Sequence, residues 1–263
     1  MKKIGILGFG FVGQAVYAGL AKPDDALIWD PPKGYADFYK ETALNDCTHA
    51  IFVCLPTPMA LNPEDHSSVF CAQDASYIID ALDYLSKVKY QHPVIVKSTV
   101  LPSVLVRYEK SLKIVANPEF LNANTAVHDF MNQSTILLGG NIDVACQVKD
   151  IYVNHFRFDT TGPIDFVPCS LEEAMTIKYI HNTRHAYEVL FWNYVFETFG
   201  NHRKYGALYE KITGRKGEMY KVAADGKLGY GGSCFTKDVN AIEAEKPHEL
   251  TAFMIKLNER LRN

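Results

Sequence analysis

Cys234 lies in the run Gly229-Tyr230-Gly231-Gly232-Ser233-Cys234-Phe235-Thr236-Lys237-Asp238, where three glycines and a Lys-Asp pair surround one thiol just before a helical pattern. Helix-terminal N–H groups and nearby lysines favour a thiolate, and glycines let a substrate approach the backbone. A lone cysteine is more often packing. Packing has no need of this neighbourhood, so the run reads as a nucleophile loop. Lys178 and Asn182 stand four residues apart in a long helical stretch, and Asn193 follows eleven later, about 20° from the same face. That stripe offers a cation and two amides to a negative charge, and its competing reading is a solvated helix face. Glu119, in Asn117-Pro118-Glu119-Phe120, follows a predicted strand and offers a general base, although such an acid taken alone is more often solvated. Thr57-Pro58 and Lys97-Ser98-Thr99 also follow predicted strands, at the edge where open parallel sheets bind ligands, with local turns or caps as the alternative. His181 and His185 have the spacing of helical zinc ligands, but Asn182 stands where H-E-x-x-H carries its Glu and no third ligand is evident, so no metal is expected.

Gly8-Phe9-Gly10-Phe11-Val12-Gly13 satisfies G-x-G-x-x-G directly after a strand pattern and at the start of a helical one. The first glycine permits the tight turn, the second lets a pyrophosphate approach the backbone, and the third lets helix and strand pack closely. Asp30 lies 20 residues after Gly10, where a carboxylate binds the adenosine ribose hydroxyls and repels a 2′-phosphate, favouring NAD over NADP. A structural glycine turn without a ligand is the bland alternative.

These residues need a scaffold. Short apolar runs at Lys3 to Leu7, Leu27 to Trp29, Ala50 to Cys54, Val94 to Val96 and Ile114-Val115 alternate with helix-compatible segments such as Ala72 to Val88. Further strand patterns at Thr135 to Leu138 and Ile164 to Val167 flank a helical pattern from Val144 to His155. This alternation predicts an α/β fold, a Rossmann-type doubly wound parallel sheet with helices on both faces, over residues 1–168. Ser170 and Glu173 form a capping box that starts a helix over Leu171 to Phe199, stopped by Gly200 and roughly 43 Å long. That spine helix predicts a mostly helical second domain, 169–263. Beyond it, Asn201 to Gly226 reads as a polar connecting segment, and a last helical stretch runs to Asn263.

Composition narrows the function. With 27 basic and 30 acidic side chains among 263 residues, the formal charge of −3 gives no nucleic-acid footprint. No apolar run reaches the roughly 20 residues of a membrane span, and the glycines near the N-terminus weaken a secretory-signal reading, so a cytoplasmic protein is expected. The cysteines at 47, 54, 71, 146, 169 and 234 form no C-x-x-C pair, so most are expected to be reduced and buried.

Taken in order, Gly8 to Gly13, Leu55-Pro56-Thr57-Pro58, Lys97-Ser98-Thr99, Asn117-Pro118-Glu119-Phe120-Leu121, Lys178 with Asn182, and Gly229 to Asp238 resemble the successive signatures of the UDP-glucose/GDP-mannose dehydrogenases. The resemblance spans nearly the whole chain. It implies an oxidoreductase of polysaccharide biosynthesis that converts the C6 alcohol of a nucleotide sugar, UDP-glucose foremost, to a carboxylate. Two NAD are reduced and a Cys234 thiohemiacetal and thioester lie between the steps. Lys178 and Asn182 would then stabilise charge on the C6 oxygen, Asp238 and Thr99 would order water, and Glu119 would relay the proton. The cofactor would lie on Gly8, Gly10, Phe11, Val12, Gly13, Asp30, Thr57, Pro58, Thr99 and Lys237. The sugar would meet Glu119, Phe120, Leu121, Lys178, Asn182, Tyr230 and Gly231. A homodimer through the helical domain is also implied, to which Tyr187, Phe191, Trp192, Tyr194 and Phe196 are suited, as they are to a core.

The chain departs from the family pattern in five places. Ala123 stands where a glutamate is usual, Asn122 and Asn124 flank it, Tyr194 replaces an acid, and Pro102 comes one residue late. The chain also stops at Asn263, where the family continues into a third, nucleotide-binding domain, which reads as a short form or a fragment. Two other functions stay open: a two-electron hydroxyacid or polyol dehydrogenase with no use for Cys234, and a non-catalytic protein that binds NAD or a nucleotide sugar.

Overall fold

A computed structural model of the chain describes residues 3–36, 47, 49–59, 73–214 and 226–263. Backbone contacts divide it into two units, residues 1–57 with 75–178, and residues 58–74 with 179–263.

The first unit holds one seven-stranded sheet, β1 (Ile4–Leu7), β2 (Ala26–Trp29), β3 (Ala50–Val53), β4 (Val94–Val96), β5 (Ile114–Ala116), β6 (Thr135–Gly140) and β7 (Asp165–Cys169), in the order β2-β1-β3-β4-β5-β6-β7. The chain winds outward from β1 in both directions, so the carboxyl ends of β1 and β3 flank the point where strand order reverses, the place such sheets reserve for ligands. Ile51, Phe52 and Val53 are fully buried because both faces of β3 are covered. On one face α2 (Ser76–Lys87) and α3 (Pro102–Leu105) bury Ile78, Leu82, Leu85 and Leu105 against Leu7, Ile51, Val53 and Val96. On the other, α1 (Phe11–Gly19), α4 (Ala126–Met131) and α5 (Ile142–His155) set Val16, Phe130, Val148 and Tyr152 against Ile4, Ile6, Phe52 and Val115. Side chains two apart on a strand share a face, which is why Ile4 and Ile6 sit in one core and Leu7 in the other.

The sheet is not wholly parallel, as the sequence had suggested, because β6 runs antiparallel to β5. The 12-residue α2 carries the chain back between β3 and β4, whereas α4 has six residues, about 9 Å. β6 therefore starts beyond the carboxyl end of β5 and returns along it, pairing Gly139 with Ala116 and Gly140 with Val115. α5 also starts two residues ahead of the periodic pattern, since the Asn141 side chain caps it by accepting from Asp143 N at 2.9 Å.

The helix α6 runs over Leu171–Phe199, as its signals predict. Ser170 N donates to Glu173 at 2.7 Å and Ser170 Oγ accepts from Glu173 N at 3.1 Å, a complete capping box. By backbone contacts the first unit runs on to Lys178, and Leu171, Ala174 and Met175 belong to its apolar core.

In the second unit, the later turns of α6 join α7 (His202–Thr213), α8 (Gly232–Glu245) and α9 (Glu249–Arg262). Its core gathers Ala186, Val189, Leu190, Tyr230, Val239, Met254 and Ile255. The helix α7 replaces the expected connecting segment. Its signals are an Asn201 side chain that accepts from Lys204 N at 3.0 Å and a left-handed Gly214, φ 68°, that ends it. The last helical stretch is two helices. Glu243 of α8 joins them at the corner by accepting from His248 N at 3.0 Å and from the Thr251 hydroxyl.

Candidate active site

The glycine turn links β1 to α1. Gly8 has φ 84°, and a Cβ on it would lie 2.6 Å from the Cys54 carbonyl oxygen, so this position takes only glycine. Gly13 is equally constrained, because its Cβ would collide with the Gly8 carbonyl oxygen. Gly10 differs, since a Cβ there would meet nothing within 4 Å. The space beside it is open, as a pyrophosphate approaching the first turn of α1 would require. Asp30, expected to face a ribose, spends one oxygen on the turn itself: Phe9 N donates to Oδ2 at 2.7 Å, and the Lys33 ammonium donates to Phe9 O at 2.6 Å. The carboxylate oxygen Oδ1 and further lone pairs of Oδ2 are not used by that bond. Phe11 is exposed and Val12 half-buried at the head of α1. This turn fits a dinucleotide.

The loops after β3, β4 and β5 gather at the same sheet edge. Thr57 donates from Oγ1 to Thr99 O at 2.9 Å, and Ser98 Oγ donates to Leu55 O at 2.7 Å, so two of the loops are stitched together. Pro58 and Phe120 are exposed and Leu121 is half-buried. Glu119 is buried, 7% exposed, which excludes the solvated-loop alternative. Its carboxylate pairs with the Lys97 ammonium, itself 2% exposed. Burial pushes Lys97 down to about 7 against an opposing contribution from Cys54. Lys178, buried at the last residue of the first unit, sets its ammonium 5.2 Å from the centre of the Phe120 ring.

In the second unit, Asn182 and Asn193 are each 2% exposed, so the polar stripe of α6 is no solvated face. Asn182 Nδ2 donates to Asp238 Oδ2 at 2.5 Å, and the Lys237 ammonium pairs with the other oxygen. Asp238 is fully buried. Asn193 accepts from Gly229 N, and a Cβ on Gly229 would lie 2.5 Å from Asn258 Oδ1. That glycine therefore serves packing, while Gly232, φ 78°, has open space beside it. Tyr230, expected at the substrate, is 1% exposed and sits in the core of this unit, where burial raises its hydroxyl pKa. Gly231 is half-buried. Cys234 is exposed in the first turn of α8. Cys47 and Cys54 are buried as expected of structural cysteines, whereas Cys146 is exposed and Cys169 partly so. Cys71 lies outside the described residues. His181 and His185 pack edge to face with ring centres 4.3 Å apart.

The sequence missed the polar cluster behind Glu119. Tyr152 on α5 donates to Asn117 Oδ1 at 2.6 Å, and Lys97 donates to the same oxygen at 2.8 Å. A lysine directly after the apolar Val94-Ile95-Val96 was the available signal. Tyr179 donates to Gln73 at 3.0 Å, a pairing no local pattern announces.

The chain is 28% identical over 221 residues to the UDP-glucose 6-dehydrogenase of Rickettsia bellii, covering 80% of this chain and 47% of that protein. It is 30% identical over 214 residues to the UDP-glucose 6-dehydrogenase AglM of Haloferax volcanii, covering 75% and 48%. The chain thus spans about half the length of these curated relatives. The solved UDP-glucose dehydrogenase of Pyrobaculum islandicum superposes with a TM-score of 0.72 at 22% identity, over 100% of this chain and 68% of that one, which shows the shared fold. Residues 36–155 match the NAD-binding domain of the UDP-glucose/GDP-mannose dehydrogenase family, which supports NAD as the cofactor.

Proposed function

We propose that the protein oxidises the C6 alcohol of a nucleotide sugar to a carboxylate, with UDP-glucose as the leading substrate. The observation that carries the proposal is an exposed Cys234 on the first turn of α8, in the same helix as an Asp238 held by Asn182 and Lys237. A two-electron dehydrogenase has no use for that thiol. NAD, when bound, supplies the hydride acceptor for both oxidations.

The chain's own residues account for the remaining chemistry. Gly8, Gly10, Phe11, Val12 and Gly13 would seat the pyrophosphate, Asp30 the ribose, and Thr57, Pro58, Thr99 and Lys237 the remainder of the cofactor. Lys178 and Asn182 would stabilise the C6 oxygen as it loses its proton, which Glu119 takes up. Phe120, Leu121 and Gly231 would line the sugar. The Cys234 sulfur adds to the resulting aldehyde, forming a C–S bond and a hydroxyl, so the reactive carbonyl cannot diffuse away. A second hydride loss converts this thiohemiacetal to a thioester. Water ordered by Asp238 and Thr99 then cleaves the C–S bond, giving the acid and restoring the thiol.

We further propose that two chains pair through the second unit. Tyr187, Phe191 and Tyr194 of α6 and Leu208, Tyr209 and Ile212 of α7 are all exposed, and exposed aromatic and apolar side chains are the kind that interfaces bury. Among the described residues no helix is long and apolar enough to cross a membrane.

The test is stoichiometric. Two NADH per UDP-glucose consumed is the expected result. One NADH would favour a two-electron dehydrogenase, and tight binding without NADH would favour a non-catalytic binding protein. Repeating the assay over UDP- and GDP-linked hexoses and N-acetylhexosamines identifies the sugar, and sedimentation velocity reports the dimer.

A further inference from the structure

Lys97 follows β4 into an almost completely buried position, and groups from four other elements face its ammonium. Cys54 comes from the end of β3, Asn117 and Glu119 from the end of β5, the Phe130 ring from α4 at 5.7 Å, and Tyr152 reaches the same Asn117 from α5. Two of the ionisable groups are held neutral. Burial pushes the Cys54 thiol up to about 12 and raises the Tyr152 hydroxyl well above its usual range. Glu119 is therefore the counter-charge that Lys97 finds in this shell.

The geometry of the cluster is fixed from behind. Asn117 Oδ1 accepts both from Lys97 at 2.8 Å and from Tyr152 at 2.6 Å, while its Nδ2 donates to Leu137 O at 2.9 Å. Only one orientation of the amide satisfies all three bonds. The ammonium is thereby aimed by Asn117 and in turn holds the Glu119 carboxylate.

We propose that Lys97 is a positioning residue that keeps Glu119 ionised, in one orientation, and ready to accept a proton. This rests on the proton-relay role assigned to Glu119 above. When Glu119 takes a proton from the C6 hydroxyl, the Lys97 ammonium loses its counter-charge beside Phe130, Cys54 and Tyr152. An unpaired cation in that apolar shell is disfavoured, so the carboxyl is driven to release its proton and the pair is restored. The cycle moves one proton and no electrons.

Infrared difference spectroscopy of the intact protein against its Glu119→Gln variant tests the pair without substrate. The wild type is expected to show Glu119 as a carboxylate at neutral pH. Lys97→Met is expected to show a protonated carboxyl band that disappears in Lys97→Met/Glu119→Gln. Should Lys97→Met not fold, Lys97→Gln takes its place, and the wild-type spectrum remains decisive: a protonated Glu119 there at neutral pH overturns the proposal, as does a Lys97→Met variant without the new band. With UDP-glucose and NAD, Lys97→Met is expected to move the acid limb of the pH–rate profile up by one unit or more, a tenfold loss on that limb. A merely structural lysine would lower the rate evenly at every pH. If Glu119→Gln turns over normally, the relay role of Glu119 fails, and the spectra still report separately on the pair.

Discussion

Asn182 on α6 donates a 2.5 Å hydrogen bond to Asp238 on α8, and the acceptor carboxylate is fully buried with its other oxygen paired to Lys237. The amide donor is thus matched to an acceptor oxygen. Replacing it by Asn182→Asp sets two carboxyl groups at hydrogen-bond distance, and they cannot both ionise, so one is raised well above its unfolded value near 4. A raised carboxyl pKa contributes stability that is present below the unfolded value and lost as pH rises. We expect the urea midpoint of Asn182→Asp to fall between about pH 4 and 7, by about 2 kcal/mol relative to wild type. A pH-independent difference between the two proteins would refute the pairing.

The two neighbouring glycines of the cofactor turn make opposite predictions. Gly8→Ala forces a side chain into φ 84° and against the Cys54 carbonyl, so it should lose about 2 kcal/mol of stability or more, read from the urea midpoint. Gly10→Ala meets nothing in the protein and should unfold within about 0.5 kcal/mol of wild type. Calorimetric titration with NAD should nevertheless show binding weakened about tenfold or more by Gly10→Ala, because the methyl occupies space left for the pyrophosphate. Unchanged NAD affinity in Gly10→Ala would remove this turn from the cofactor site.

Lys97 carries its own signature in stability against pH. Burial lowers its pKa to about 7 from an ordinary 10.5, so between those values the unfolded chain binds more protons than the folded one. Stability must then rise with pH across that window as far as Lys97 is concerned. The penalty is full below it and relieved above it. Urea midpoints of wild type and Lys97→Met, measured from about pH 6 to 10, should converge on a smaller slope for the variant. Parallel curves would count against a buried, down-shifted lysine.

Much of this architecture can be read from local patterns because local physics decides it. Alternating strand and helix signals give the first unit, and the Ser170–Glu173 box with Gly200 gives the ends of α6 to the residue. What escapes is set by partners distant in sequence. Nothing around Glu119 tells that it is buried, since Lys97 and Asn117 acquire their meaning only when β4 and β5 lie side by side. Tyr230 reads as a loop residue near the thiol, yet it fills the core that α6, α8 and α9 build together. The helix α7 is hidden by its polarity and by Gly206, although Asn201 and Gly214 mark its ends.

Cys234 separates chemistry from folding more cleanly than any other position. Its side chain is exposed, with Ser233 Oγ 3.9 Å from the sulfur, so Cys234→Ser should leave the urea midpoint within about 0.5 kcal/mol of wild type. Serine at this position is a far poorer nucleophile at neutral pH, because its hydroxyl does not ionise there as a thiol can. Formation of the sugar acid from UDP-glucose and NAD should drop on the order of 10³-fold or more, with NAD binding unchanged. Mass spectrometry of the wild type quenched during turnover should find the nucleotide sugar attached at Cys234, and the adduct should be missing in the variant. A Cys234→Ser protein that still yields two NADH per sugar at the wild-type rate would show that the thiol takes no part, leaving the Lys178 and Asn182 amide-and-cation pair to serve a simpler dehydrogenase.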